Sequence, residues 1–132
     1  MPLEMDEAIR ARWTAKLRSG EIPQTDGALR QGDARCCLGV LCDIAVTDGI
    51  IAPPTWCEDP GVWDYDGNWQ LLPDSILAWA DFNMHEVDGG DPTVSVSDPT
   101  LPGVSSRGLA ELNDDGWTFA QIADAIDGGE GE

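Results

Sequence analysis

The run Cys36-Cys37-Leu38-Gly39-Val40-Leu41-Cys42-Asp43-Ile44-Ala45-Val46 is apolar almost all round and is followed by Thr47-Asp48-Gly49. An element hydrophobic on every side must be enclosed by others, so this run reads as a central buried helix. A buried strand is the competing reading, because the run is short and its apolar residues are continuous. At 132 residues the chain makes one domain, which excludes two independent enzymatic domains.

The rest of the pattern supplies the surrounding elements. Asp6 to Ser19 reads as a helix with acids in its first turn, Ile9, Trp13 and Leu17 on one stripe, and Gly20 as its stop. A polar, Gly-rich loop broken by Pro23 follows. Alternation on both sides of Asp66-Gly67-Asn68 marks a hairpin over 62–71. A three-residue loop at 66–68 places Tyr65 opposite Trp69 and Trp63 opposite Leu71, which keeps the large apolar residues on one face. Pro73 opens a short helix through Phe82, and Thr93 to Ser97 alternates like an edge strand in a loop-like stretch. Ser106 to Asn113 reads as a helix ended by Asp114-Asp115-Gly116. Thr118 and Gln121 form a capping box for a last helix, Phe119 to Ile126. The expected fold is α+β: a single globular domain over 1–127, with about four helices around the cysteine-rich one and a small antiparallel hairpin or sheet. Residues 128–132 are expected to form a disordered acidic tail.

Charge narrows the function. The chain carries 25 acidic and 7 basic residues, a net charge of −18. Residues 1–35 are balanced, whereas 36–132 hold Arg107 alone against 19 acids. No basic footprint exists for nucleic acid or an anionic membrane, so direct binding to either is not expected. An anionic ligand has to sit near the first third of the chain. No apolar stretch is long enough to span a bilayer and no signal-peptide pattern opens the chain, which makes a cytoplasmic location the expectation. The four cysteines then belong to a reducing compartment, where disulfides are the exception.

The segments Trp13-Thr14-Ala15-Lys16-Leu17-Arg18-Ser19-Gly20, Cys36 to Asp43, Leu72-Pro73 to Trp79-Ala80, and Leu109-Ala110-Glu111-Leu112-Asn113 to Ile122-Ala123-Asp124-Ala125-Ile126 together resemble a group of small proteins common in phages, particularly those of actinobacteria. The resemblance implies a context: a small non-structural phage product, working in the cytoplasm of a bacterial host on the host or its defences.

Several constellations carry possible chemistry. Cys36 or Cys37, beside Arg35 at a helix start, has two influences that lower a thiol pKa, and His85 follows as the single imidazole, in the order of papain-like hydrolases. The cysteine spacing, an adjacent pair, then Cys42, then Cys57, is not that of a zinc site. Leu112 to Ile126 resembles part of a helix-turn-helix, but its second helix bears Asp124 and no base, so a packed helical hairpin is the better reading. The acidity itself is compatible with a decoy that imitates DNA. Six tryptophans are many for this length, and Trp56, Trp63, Tyr65 and Trp69 cluster within one short region. Flat aromatic faces stack on bases, and Arg30 and Arg35 precede a helix N-terminus, a ready anion site.

The reading that joins these features is a phage counter-defence protein that sequesters a nucleotide-derived immune signal without chemistry. Arg30 and Arg35 hold phosphate, while Trp56, Trp63, Tyr65 and Trp69 stack on or wall in the base. No cofactor or metal is called for. An acidic decoy for a host DNA-handling protein and a papain-like cysteine hydrolase are the alternatives, and the oligomeric state, including a homo-oligomer, is left open.

Overall fold

The structure is a computed structural model that describes residues 3–58, 61–97 and 104–128. Its centre is the helix α2, Cys37–Thr47, which buries Cys37, Leu38, Gly39, Val40, Leu41, Cys42, Ile44 and Ala45. The all-round apolar run is therefore a helix rather than a strand. Removing side chains such as Leu38 and Leu41 from water stabilises the fold by ~1.5–3 kcal/mol each. Gly39 is required by proximity rather than by dihedral: a Cβ there would overlap the Leu29 carbonyl oxygen and lie 2.8 Å from its carbon.

Helix α1, Glu7–Arg18, starts where the Asp6 side chain accepts from the Ile9 N–H, and buries Ile9, Trp13, Thr14 and Leu17. The Trp13 indole donates to the Cys37 carbonyl at 2.9 Å, so a large apolar ring meets α2 without leaving its N–H unpaired. The chain ahead of α1 is tied down as well, with the Leu3 N–H on the Ile126 carbonyl at 2.8 Å.

The stretch after α1 contains a small ladder not legible in its composition: β1, Arg30–Gln31, pairs antiparallel with β2, Ala34–Arg35. β3, Thr55–Cys57, pairs with β4, Val62–Asp64, in a register that sets Trp56 opposite Trp63. This corrects the hairpin expected over 62–71. Tyr65 and Asn68 exchange backbone hydrogen bonds around a two-residue turn, Asp66-Gly67, whose φ angles of 51° and 91° are both left-handed. Asp-Gly favours that turn, and the Gly67 N–H is further held by the Asp64 carboxylate at 2.7 Å. Beyond Asn68 the chain leaves the ladder and the Trp69 carbonyl accepts from Leu29 N–H, so among the described residues no strand faces 69–71 to impose a shared apolar face.

Helix α3, Asp74–Trp79, follows Pro73 as expected and is succeeded by a 3₁₀ turn, Met84–Glu86. β5, Val87–Asp88, β6, Asp91–Ser97, and β7, Val104–Gly108, form a three-stranded antiparallel sheet in the order β5-β6-β7. The run at Thr93–Ser97 is thus a central strand and not an edge. Its second partner begins at Val104, so the helix expected from Ser106 starts only at Leu109. That helix is α4, Leu109–Asp114. Its N-cap, Gly108, has no side chain, and Asp91 of β6 caps it from across the sheet by accepting the Ala110 N–H at 2.8 Å. Helix α5, Phe119–Ile126, carries the expected capping box. The architecture is α+β: α1 and α4 pack on the buried α2, and α5 packs on α1 and α4. The tail expected to be disordered lies, from residue 129 on, outside the described residues.

Candidate functional site

Two short ladders meet to make the aromatic region. β1 packs against β4, which brings Arg30 over Trp63: the guanidinium carbon stands 4.5 Å from the ring centroid, a cation–π arrangement. Trp63 in turn meets its cross-strand partner Trp56 edge to face, with centroids 5.4 Å apart and an interplanar angle of 63°. Trp56 remains 49% exposed. Arg30, Trp63 and Trp56 are therefore contiguous, two of the four clustered aromatics brought together with one of the two arginines.

The other expected residues are placed differently. Tyr65 is fully buried, and its hydroxyl donates to Asp43 Oδ1 at 2.5 Å. Burial first, and that hydrogen bond to a carboxylate second, push its phenol well above the usual value. It is a core residue and cannot wall in a ligand. Arg35 lies opposite Arg30 in the β1–β2 register, but its Nε donates to Asp43 Oδ2 at 2.7 Å and a terminal nitrogen to the Asp33 carbonyl at 2.6 Å. Its charge is neutralised locally, so it does not present a second phosphate-binding cation. Trp69 is half-buried and is tied to the fold through its carbonyl.

The start of α2 is not an open anion site. The Cys37 N–H donates to the Asn113 side chain at 3.1 Å, and the Cys36 N–H to the Leu29 carbonyl. Asn113 is 2% exposed and also accepts from Gln24 and donates to the Thr25 carbonyl, which makes it the hub joining α2, α4 and the loop after α1. The small cavity beside Cys36, about 190 Å³, is lined by Gly27, Ala28 and Asp114, so its formal charge there is negative.

The thiols contradict the expectation of activation. Burial pushes Cys36 up to about 11 and holds Cys37 and Cys42 well above the usual thiol range, so neither the helix terminus nor the already paired Arg35 produces a thiolate. His85 is exposed on the 3₁₀ turn, and among the described residues no hydrogen bond joins it to a cysteine.

Sequence reasoning missed Asp43, the acceptor shared by Arg35 and Tyr65. The available signal was its position as the one charged residue within an apolar helix. A separate groove of about 500 Å³ between α1 and α2 is lined by Arg12, Lys16, Ile22, Val40, Asp43 and Ile44, among others, and by none of the aromatic stack.

Residues 5–130 match the family described as Domain of unknown function (DUF8296), and the chain belongs to that family. No curated protein and no solved structure matches it. No helix among the described residues is long and apolar enough to cross a membrane.

Proposed function

We propose that this protein is a binding protein without chemistry of its own, which sequesters a nucleotide-type ligand on the surface formed by Trp56, Trp63 and Arg30. The observation that carries this reading is the state of Arg30. Arg10, Arg12, Arg18, Arg35 and Arg107 each lie within ion-pair distance of a carboxylate. Arg30 has no such partner among the described residues and lies instead against Trp63, with Nε on the Gly32 carbonyl. An uncommitted guanidinium beside a half-exposed indole offers both halves of a nucleotide contact, a cation for phosphate and a flat face for the base. In the phage context that the sequence resembles, retention of a signalling nucleotide would act as counter-defence.

The test is retention. The protein is mixed with a panel of linear and cyclic nucleotides and filtered, and the flow-through and heat-released fractions are read by mass spectrometry. A compound lost from the flow-through and recovered intact on heating supports the reading, provided that Trp56→Ala and Arg30→Ala each reduce retention. Conversion to a new product would replace it with an enzyme. A panel that passes through unchanged would remove it. The decoy alternative predicts capture of a protein partner that collapses with added salt.

A further inference from the structure

Resting on the reading above, we infer that the site selects nucleotides bearing one negative charge, such as a cyclic nucleoside monophosphate or another phosphodiester, over nucleoside di- and triphosphates. Two arginines face each other across β1 and β2, yet Asp43 takes the charge of one of them. One cation, Arg30, is left for the ligand.

The surroundings oppose further negative charge. Asp33 occupies the turn that joins β1 to β2, Asp64 follows Trp63 on β4, and Glu58 follows β3. Beyond them the whole chain carries −18. A single phosphodiester charge meets Arg30 and is locally balanced. Each added phosphate charge finds no second uncommitted cation among these residues and is repelled by both the flanking acids and the net field. Asp43 is thereby a specificity-determining position although it touches no ligand: it sets how many arginines the face presents.

The experiment is equilibrium dialysis of the full chain with adenosine 3′,5′-cyclic monophosphate and with adenosine triphosphate, at low and at physiological ionic strength. At ~10 mM salt, where charges act over ~30 Å, the triphosphate is expected to bind at least about tenfold more weakly, and the gap narrows at ~0.15 M as the range falls to ~8 Å. Asp43→Asn, which keeps an acceptor for Tyr65 but releases the charge of Arg35, is expected to narrow the gap at low salt as well. If that variant does not fold, the salt series on the parent chain decides. Triphosphate binding equal to or tighter than that of the cyclic monophosphate overturns the selectivity and leaves the nucleotide reading standing. Absence of binding by both, together with an unretained panel, removes that reading and this inference with it.

Discussion

The buried start of α2 and the face made by β1, β3 and β4 both gather residues that look chemical, and they treat them in opposite ways. At the start of α2 two cysteines, a helix terminus and an asparagine are close together, but each polar group described there has a partner: Cys37 N–H with Asn113, Cys36 N–H with Leu29, the Trp13 indole with the Cys37 carbonyl. On the face, Trp56 is half exposed and Arg30 has no carboxylate partner among the described residues. Satisfied, dehydrated groups hold a fold together, and the same groups cannot also meet a ligand. Reactive residue types near one another are therefore a weaker sign of function than an arginine that, among the described residues of so acidic a chain, has no carboxylate partner.

If that division is right, the largest stability losses belong to the α2 region. Gly39→Ala forces a methyl into the Leu29 carbonyl, where backbone and not a flexible side chain must give way. Its cost should reach or exceed ~3 kcal/mol, the upper end of ordinary overpacking. Thermal denaturation would show this as a drop on the order of 10 °C or a failure to fold. A loss of only a degree or two would mean that the loop over α2 is free to shift. Asn113→Ala comes next. It strips the Cys37 and Gln24 donors of their acceptor and the Thr25 carbonyl of its donor in a buried setting, which should cost ~2–3 kcal/mol in urea unfolding.

How far the sequence reveals this molecule depends on how local each signal is. The Asp6 cap of α1 and the Thr118–Gln121 box of α5 act within a few residues, and both helices stand where their patterns put them. The pattern points to a three-residue loop and not to the Asp66-Gly67 turn because a shared apolar face presumes a strand at 69–71, a segment that does not join the ladder. Ser106 to Gly108 reads as the start of a helix, since Val104-Ser105-Ser106-Arg107-Gly108 has no strand periodicity of its own and acquires its shape by pairing with β6. In the site, the tryptophan cluster is visible because Trp56 and Trp63 are near in sequence. The division of labour between Arg30 and Arg35 is not, because it is decided by Asp43, eight residues beyond Arg35 on another element.

A smaller effect probes a third place, where a carboxylate is partly buried for structural reasons. Burial, opposed by the hydrogen bonds it accepts at the start of α4, pushes Asp91 up to about 6 from its usual 3.8. With the folded value above the unfolded one, the unfolded chain releases its proton first as pH rises. The contribution of Asp91 is therefore complete below about 4 and is lost as pH climbs through about 6. Asp91→Asn keeps an oxygen for the Ala110 N–H and should flatten the stability profile across that window, as followed by urea midpoints at several pH values. An unchanged profile would assign the pH dependence to other carboxylates.

The smallest expected change is the one that cuts most directly between the two regions. Trp13 and Trp56 are the same residue type, but Trp13 is fully buried with its indole bonded, and Trp56 is 49% exposed with its described aromatic contact on Trp63. Trp13→Ala should cost ~3–5 kcal/mol, as for other large core truncations. Trp56→Ala loses an edge-to-face contact and should cost no more than ~1 kcal/mol. A small folding cost paired with a large loss of nucleotide retention is the signature of a residue kept for binding. Were Trp56→Ala to destabilise the chain as much as Trp13→Ala, the aromatic stack would be a structural element like the start of α2, and the distinction between the two regions would fail.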